Sequence, residues 1–103
     1  MVRFFQKGFL EMKAMAITTG GAILEVAPAN NRDFSLEELQ EIVGGCIDVI
    51  SLTSGQIMVI NDEGKLNGLS YNDEATRLFR AAYKSTIDYI VGDVLVCDTN
   101  MVE

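Results

Sequence analysis

The chain has 103 residues, 49% of them hydrophobic, with a net charge of −7, two cysteines and no histidine. That is enough for one domain with its own core and too little for a second. It excludes Ser–His and Cys–His nucleophile pairs and histidine-containing or four-cysteine zinc sites, and no apolar run approaches the ~20 residues that cross a bilayer.

Residues 1–12 crowd Val2, Phe4, Phe5, Phe9 and Leu10 together without a clean period. They read as an N-terminal extension, docked or flexible, ahead of a single domain over 13–103. The start is charged and interrupted and lacks the apolar centre of a secretory signal, so a cytoplasmic location is expected. Over 13–27 the pattern predicts a β-hairpin turning at Thr19-Gly20-Gly21. Pro28-Ala29-Asn30-Asn31-Arg32-Asp33 is loop chemistry.

Ser35-Leu36-Glu37-Glu38 is a capping box, with Phe34 and Leu39 placed as a hydrophobic staple. Leu36, Leu39, Ile42 and Val43 line one face of a short helix that ends at Gly44-Gly45. Two β-rich runs follow, 46–52 and 56–60, as a hairpin with one buried face. Asn61-Asp62-Glu63-Gly64 and Asn67-Gly68 are turns, with a brief strand at Lys65-Leu66 between them.

A second helix starts near Asn72 or Asp73, with Ala75, Leu78, Phe79 and Ala82 facing a sheet and Asp73 paired with Arg77 at i+4. Runs 87–91 and 94–97 close the chain as a hairpin around Gly92-Asp93. The fold class is α+β, a mostly antiparallel sheet with two short helices in the order β-β-α-β-β-α-β-β.

Cys46 and Cys97 each sit in an apolar stretch and read as buried small hydrophobes of a reducing compartment. The glycine pairs Gly20-Gly21 and Gly44-Gly45 lack the spacing and the lysine of a phosphate loop. The acidic turn at Asp62 and Glu63 fails the alternating ligand spacing of an EF-hand, so no metal is assigned. Arg77, Arg80 and Lys84 form a basic stripe too sparse to hold nucleic acid by phosphate contacts alone.

Charge is unevenly placed. Residues 1–34 carry four basic and three acidic side chains, whereas 35–103 carry four basic and twelve acidic. Such a balance disfavours nucleic acid and suits a basic protein partner. Much of the acidity around Ser35 is capping chemistry, which leaves Glu37 and Glu41 on the first helix and Asp62 and Glu63 in the turn as candidate partner-binding residues. No catalytic residue and no cofactor are assigned.

The run Phe34-Ser35-Leu36-Glu37-Glu38-Leu39-Gln40-Glu41-Ile42-Val43-Gly44-Gly45, followed by Cys46-Ile47-Asp48-Val49-Ile50, resembles a domain family of phages, plasmids and other mobile genetic elements. The acidic turn from Asn61, the helix from Asn72 to Leu78 and the closing Ile90-Val91-Gly92-Asp93-Val94 are similar to that family's later marks. Some members are anti-CRISPR proteins that inhibit the type II effector nuclease. The resemblance implies a non-enzymatic inhibitor in the cytoplasm of a bacterial host. It would bind the effector, alone or with its guide RNA, stoichiometrically through an acidic surface, as a monomer and without direct nucleic-acid or membrane contact. Two alternatives stand beside it: a small phage or plasmid enzyme using carboxylates on a nucleotide substrate, and a generic mobile-element binding module.

Overall fold

A computed structural model describes residues 3–4, 14–53 and 55–102. The expected capping box closes: Ser35 Oγ accepts the Glu38 N–H at 3.2 Å and Glu38 Oε1 accepts the Ser35 N–H at 2.9 Å. Helix α1, Leu36–Val43, runs from that cap to Gly44, whose φ of 82° is the left-handed conformation that ends a helix most cheaply with glycine. Phe34 and Leu39 are both fully buried, as a staple requires. Leu36 is the exception on the expected apolar face; at the first helical position it stays half exposed.

The described residues also form strands β1 (Arg3–Phe4), β2 (Ala14–Ile17), β3 (Ile23–Ala27), β4 (Ile47–Ser51), β5 (Gln56–Asn61) and β6 (Val94–Asp98), and helix α2 (Asp73–Ala82). They make one sheet in the order β1-β3-β2-β6-β5-β4, antiparallel at every pairing. The α+β class with two short helices is the expected one. Of the expected N-terminal extension, residues 1–2 and 5–12 lie outside the described residues.

Side-chain period 2 places the helices on opposite faces of this sheet. Ile57, Val59, Leu95 and Cys97 share a buried cluster with Leu39 and Val43 of α1. The alternate residues Met58, Val94 and Val96 share another with Ala75 of α2, against which Leu78 and Phe79 pack. The hairpin over 46–60 therefore buries two faces at β5 and not one. This explains why Ile57-Met58-Val59-Ile60 and Val94-Leu95-Val96-Cys97 are continuous apolar runs: a strand covered on both sides has no polar face to alternate with.

Two connecting segments depart from the expected strands. Lys65-Leu66 belongs to a succession of turns, closed by Asn67 N–H to Glu63 O at 2.9 Å and Leu69 N–H to Gly64 O at 3.0 Å. The run 87–91 contributes one antiparallel bridge, Val91 to Tyr71. Several of its backbone groups are taken instead by α2. Thr76 Oγ1 accepts the Ile90 N–H at 2.9 Å, and the Arg80 guanidinium donates to the carbonyls of Ile87 and Asp88 at 3.1 and 2.9 Å. A chain whose polar groups are met by helix side chains needs no strand partner.

Asn72 ties these parts together. Its carboxamide is fully buried, and Oδ1 caps α2 by accepting the Ala75 N–H at 3.0 Å. Nδ2 donates to the Ile17 carbonyl at the end of β2, 3.0 Å away, and to the Gly92 carbonyl at 2.8 Å. Gly92 has a φ of 79°, a backbone conformation that favours glycine and would strain any other residue.

Asn72→Ala should cost about 2–4 kcal/mol in chemical denaturation, from one lost cap and two stranded buried carbonyls. Asn72→Asp separates those terms: aspartate caps equally well but faces two carbonyl oxygens without a donor. It should destabilise the fold by a similar amount, and a near-native midpoint for Asn72→Asp would show that amide donation is dispensable.

Candidate functional site

The four acidic residues singled out by sequence do not converge. Glu37 and Glu41 are exposed on α1, on the first face of the sheet. Glu41 borders a shallow recess with Ser70 and Asp93. Asp93 is already engaged there, accepting the Thr19 N–H at 3.0 Å. Asp62 and Glu63 lie beside a different depression, on the α2 face.

That depression is an open groove of about 310 Å³. Its floor is apolar, made by Ile50 and Ile60 of the β4–β5 hairpin, Phe79 of α2 and Ile90 of the returning segment. Its charged lining is Asp48, Asp62, Glu63 and Asp88, with Lys65 the cation among them. Asp48 stands opposite Ile60 across the hairpin and was not picked out by the sequence reading. The signal that could have found it was available, since a charged residue interrupts the apolar alternation of a strand whose neighbours face a helix.

Local structure sets these groups. Asn61 is buried; its Nδ2 donates to the Val43 carbonyl at 3.2 Å and its Oδ1 accepts the Glu63 N–H at 2.9 Å. The acidic turn is thus anchored to the end of α1. Three residues beyond Asp62, Lys65 forms an ion pair with Asp88 and lies 4.2 Å from the centroid of the Tyr89 ring. Tyr89 stacks on Tyr71 with centroids 5.7 Å apart. The Lys65 ammonium, then the Tyr89 backbone N–H, hold the Asp88 carboxyl below its ordinary value. Asp48, Asp62 and Glu63 have no ion pair among the described residues.

Several charges outside the groove are committed to structure. Glu38 is buried, and its Oε2 also accepts the Ala29 N–H at 2.9 Å. Burial alone would raise its pKa; the N–H donors of Ser35 and Ala29 outweigh burial and hold it below 4.5. Arg77 pairs with Glu74, one turn earlier at i+3, and not with Asp73. Arg80 holds the 87–88 carbonyls. The expected basic stripe is therefore engaged at two of its three positions.

Of the two cysteines, Cys97 is buried as expected and Cys46 is not. Cys97 is buried in β6, and burial, then the neighbouring Asp98 carboxylate, push its thiol up to about 12. Cys46 is exposed, because it precedes the edge strand β4 just beyond the glycines that end α1. Among the described residues no group of three or more His, Cys, Asp or Glu is placed to hold a metal ion, and no helix is long and apolar enough to cross a membrane.

Residues 12–102 match a family described as a domain of unknown function, DUF3846. No curated protein and no solved structure matches the chain.

Two measurements check these assignments. The Glu38 pKa is depressed in the fold, so the stability it supplies is present above its unfolded value and lost as pH falls through the folded one. Glu38→Gln should cost about 1–2 kcal/mol at neutral pH and flatten the loss of stability below pH 4.5, as followed by denaturation across that range. A thiol reagent should modify Cys46 in the native protein and reach Cys97 only after denaturation; native modification of both would contradict the burial of β6.

Proposed function

The chain belongs to the DUF3846 family of domains, and we propose that this member works by binding and not by catalysis. It engages a basic protein surface through the acidic groove on its α2 face. The observation that carries this reading is the groove itself: an apolar floor beside three carboxylates, Asp48, Asp62 and Glu63, that no cation of the chain neutralises among the described residues. Rigid backbone holds them, through the β4–β5 ladder and the Asn61 anchor, so little ordering cost falls on association.

The narrower part of the proposal is the target, a type II CRISPR effector nuclease bound stoichiometrically. Its support is the sequence resemblance through 34–50, 61–66, 72–78 and 90–94. The chemistry agrees with such a target, because an effector of this kind holds its heteroduplex in a positively charged channel and reads its PAM through arginines. Glu37 and Glu41 lie across the sheet from the groove and are not assigned to the same contact.

Cleavage assays with rising amounts of the protein test both levels. Inhibition should saturate near one equivalent; an endpoint far below one equivalent would indicate catalytic inactivation instead. Replacing Asp48, Asp62 and Glu63 together with lysine should weaken inhibition at least about tenfold and reduce its salt dependence. Replacing Glu37 and Glu41 should change it little. Full cleavage at large excess with no complex formed would remove the effector as the target.

A further inference from the structure

The groove has a shape as well as a sign. Asp62 N–H donates to the Cys46 carbonyl at 2.8 Å, which continues the β4–β5 register one residue beyond β5. Asp48 opposite Ile60, and Asp62 two residues further on, therefore project from the same face of the hairpin at diagonal positions. Diagonal positions lie about 7–8 Å apart, where two short carboxylates gain nothing from one another, so ladder stability does not account for them. Ile50, Ile60 and Phe79 continue inward from this pair as an apolar strip.

A long cationic side chain fits that sequence of surfaces, stem on the strip and head at the carboxylates. Elsewhere in the lining the same chemistry is satisfied internally: Lys65 pairs with Asp88 and lies over Tyr89. The Asp48 and Asp62 end has no counterpart of Lys65 among the described residues. Asp48 Oδ1 accepts the Val49 N–H at 2.8 Å, which fixes the carboxylate and leaves its other oxygen for a donor.

We infer that the groove takes an arginine side chain presented by the protein partner, its stem on Ile50, Ile60 and Phe79 and its guanidinium between Asp48 and Asp62. The inference rests on the binding reading above and names the chemistry of the bound group. Arginine is favoured over lysine because its planar fork of five donors reaches two carboxylates at once, whereas an ammonium is a single compact charge.

The test is a titration of the isotope-labelled full chain with the capped peptide acetyl-Leu-Arg-Leu-amide, followed by amide chemical shifts. Its lysine and citrulline analogues are run in parallel. Saturable shifts are expected at 48–50 and 60–63, weaker with lysine and absent with citrulline, which keeps the shape and loses the charge. Asp48→Asn with Asp62→Asn should weaken binding about tenfold while the spectrum stays that of the folded protein. Absence of saturable shifts up to about 10 mM peptide, equal binding of the citrulline peptide, or shifts confined to another surface would overturn the inference. The cleavage assay separates its failure from that of the wider reading. Peptide binding in the groove without inhibition leaves the inference standing and removes the effector as the target. Stoichiometric inhibition that survives Asp48→Asn with Asp62→Asn removes the arginine site and leaves the effector reading intact.

Discussion

A single buried carboxamide holds the register between α2 and the sheet. Asn72 reaches the end of β2, the turn before β6 and the first turn of α2 at once, with no exposure to water. A buried amide left without those partners would cost more than the bonds gain, so the three elements are set together or not at all. The position of α2 follows from this, and with it the position of Thr76 and Arg80, which hold the returning 87–90 segment by its backbone. That segment is one wall of the groove.

The groove exists because α2 covers the second sheet face incompletely. Leu78 and Phe79 pack on the same cluster as Ile50, Leu52 and Ile60, while Asp48 of the edge strand β4 and Asp62 line the groove with Ile50, Ile60 and Phe79. An exposed edge strand invites pairing with another chain. Here the Val49 N–H is taken by Asp48 and the Ser51 carbonyl accepts from the Tyr83 hydroxyl at 2.6 Å. Two outward-facing backbone groups of the edge are thereby engaged, and the adjoining face presents the side chains of the groove. Recognition by side-chain chemistry fits such a surface better than strand addition does.

Net charge overstates the acidity available to a partner. Glu38 is consumed by capping and by the Ala29 N–H, Glu74 by Arg77, Asp88 by Lys65 and Asp93 by the Thr19 N–H. Of the carboxylates considered for a partner, Glu37 and Glu41 lie on α1 and Asp48, Asp62 and Glu63 at the groove, on opposite faces. Electrostatic attraction at long range uses the whole of the −7, whereas a specific contact uses only one face.

The sequence by itself determined the local structure. The cap at Ser35, the C-terminal glycine of α1, the helix from Asn72 and the β-rich runs were each legible from residue types within a few positions of one another, because capping and turn chemistry are local. It also marked Asp62 and Glu63 as an exposed acidic turn. Tertiary structure alone decided the rest. Which sheet face each helix covers depends on register between strands distant in sequence, and so does the meeting of Asp48 with Asp62 across β4 and β5. The exposure of Cys46 follows from β4 being an edge strand, a fact no local pattern carries. The run 87–91 had the composition of a strand, yet its backbone is paired by Thr76 and Arg80, since a helix docked at Asn72 reaches it first.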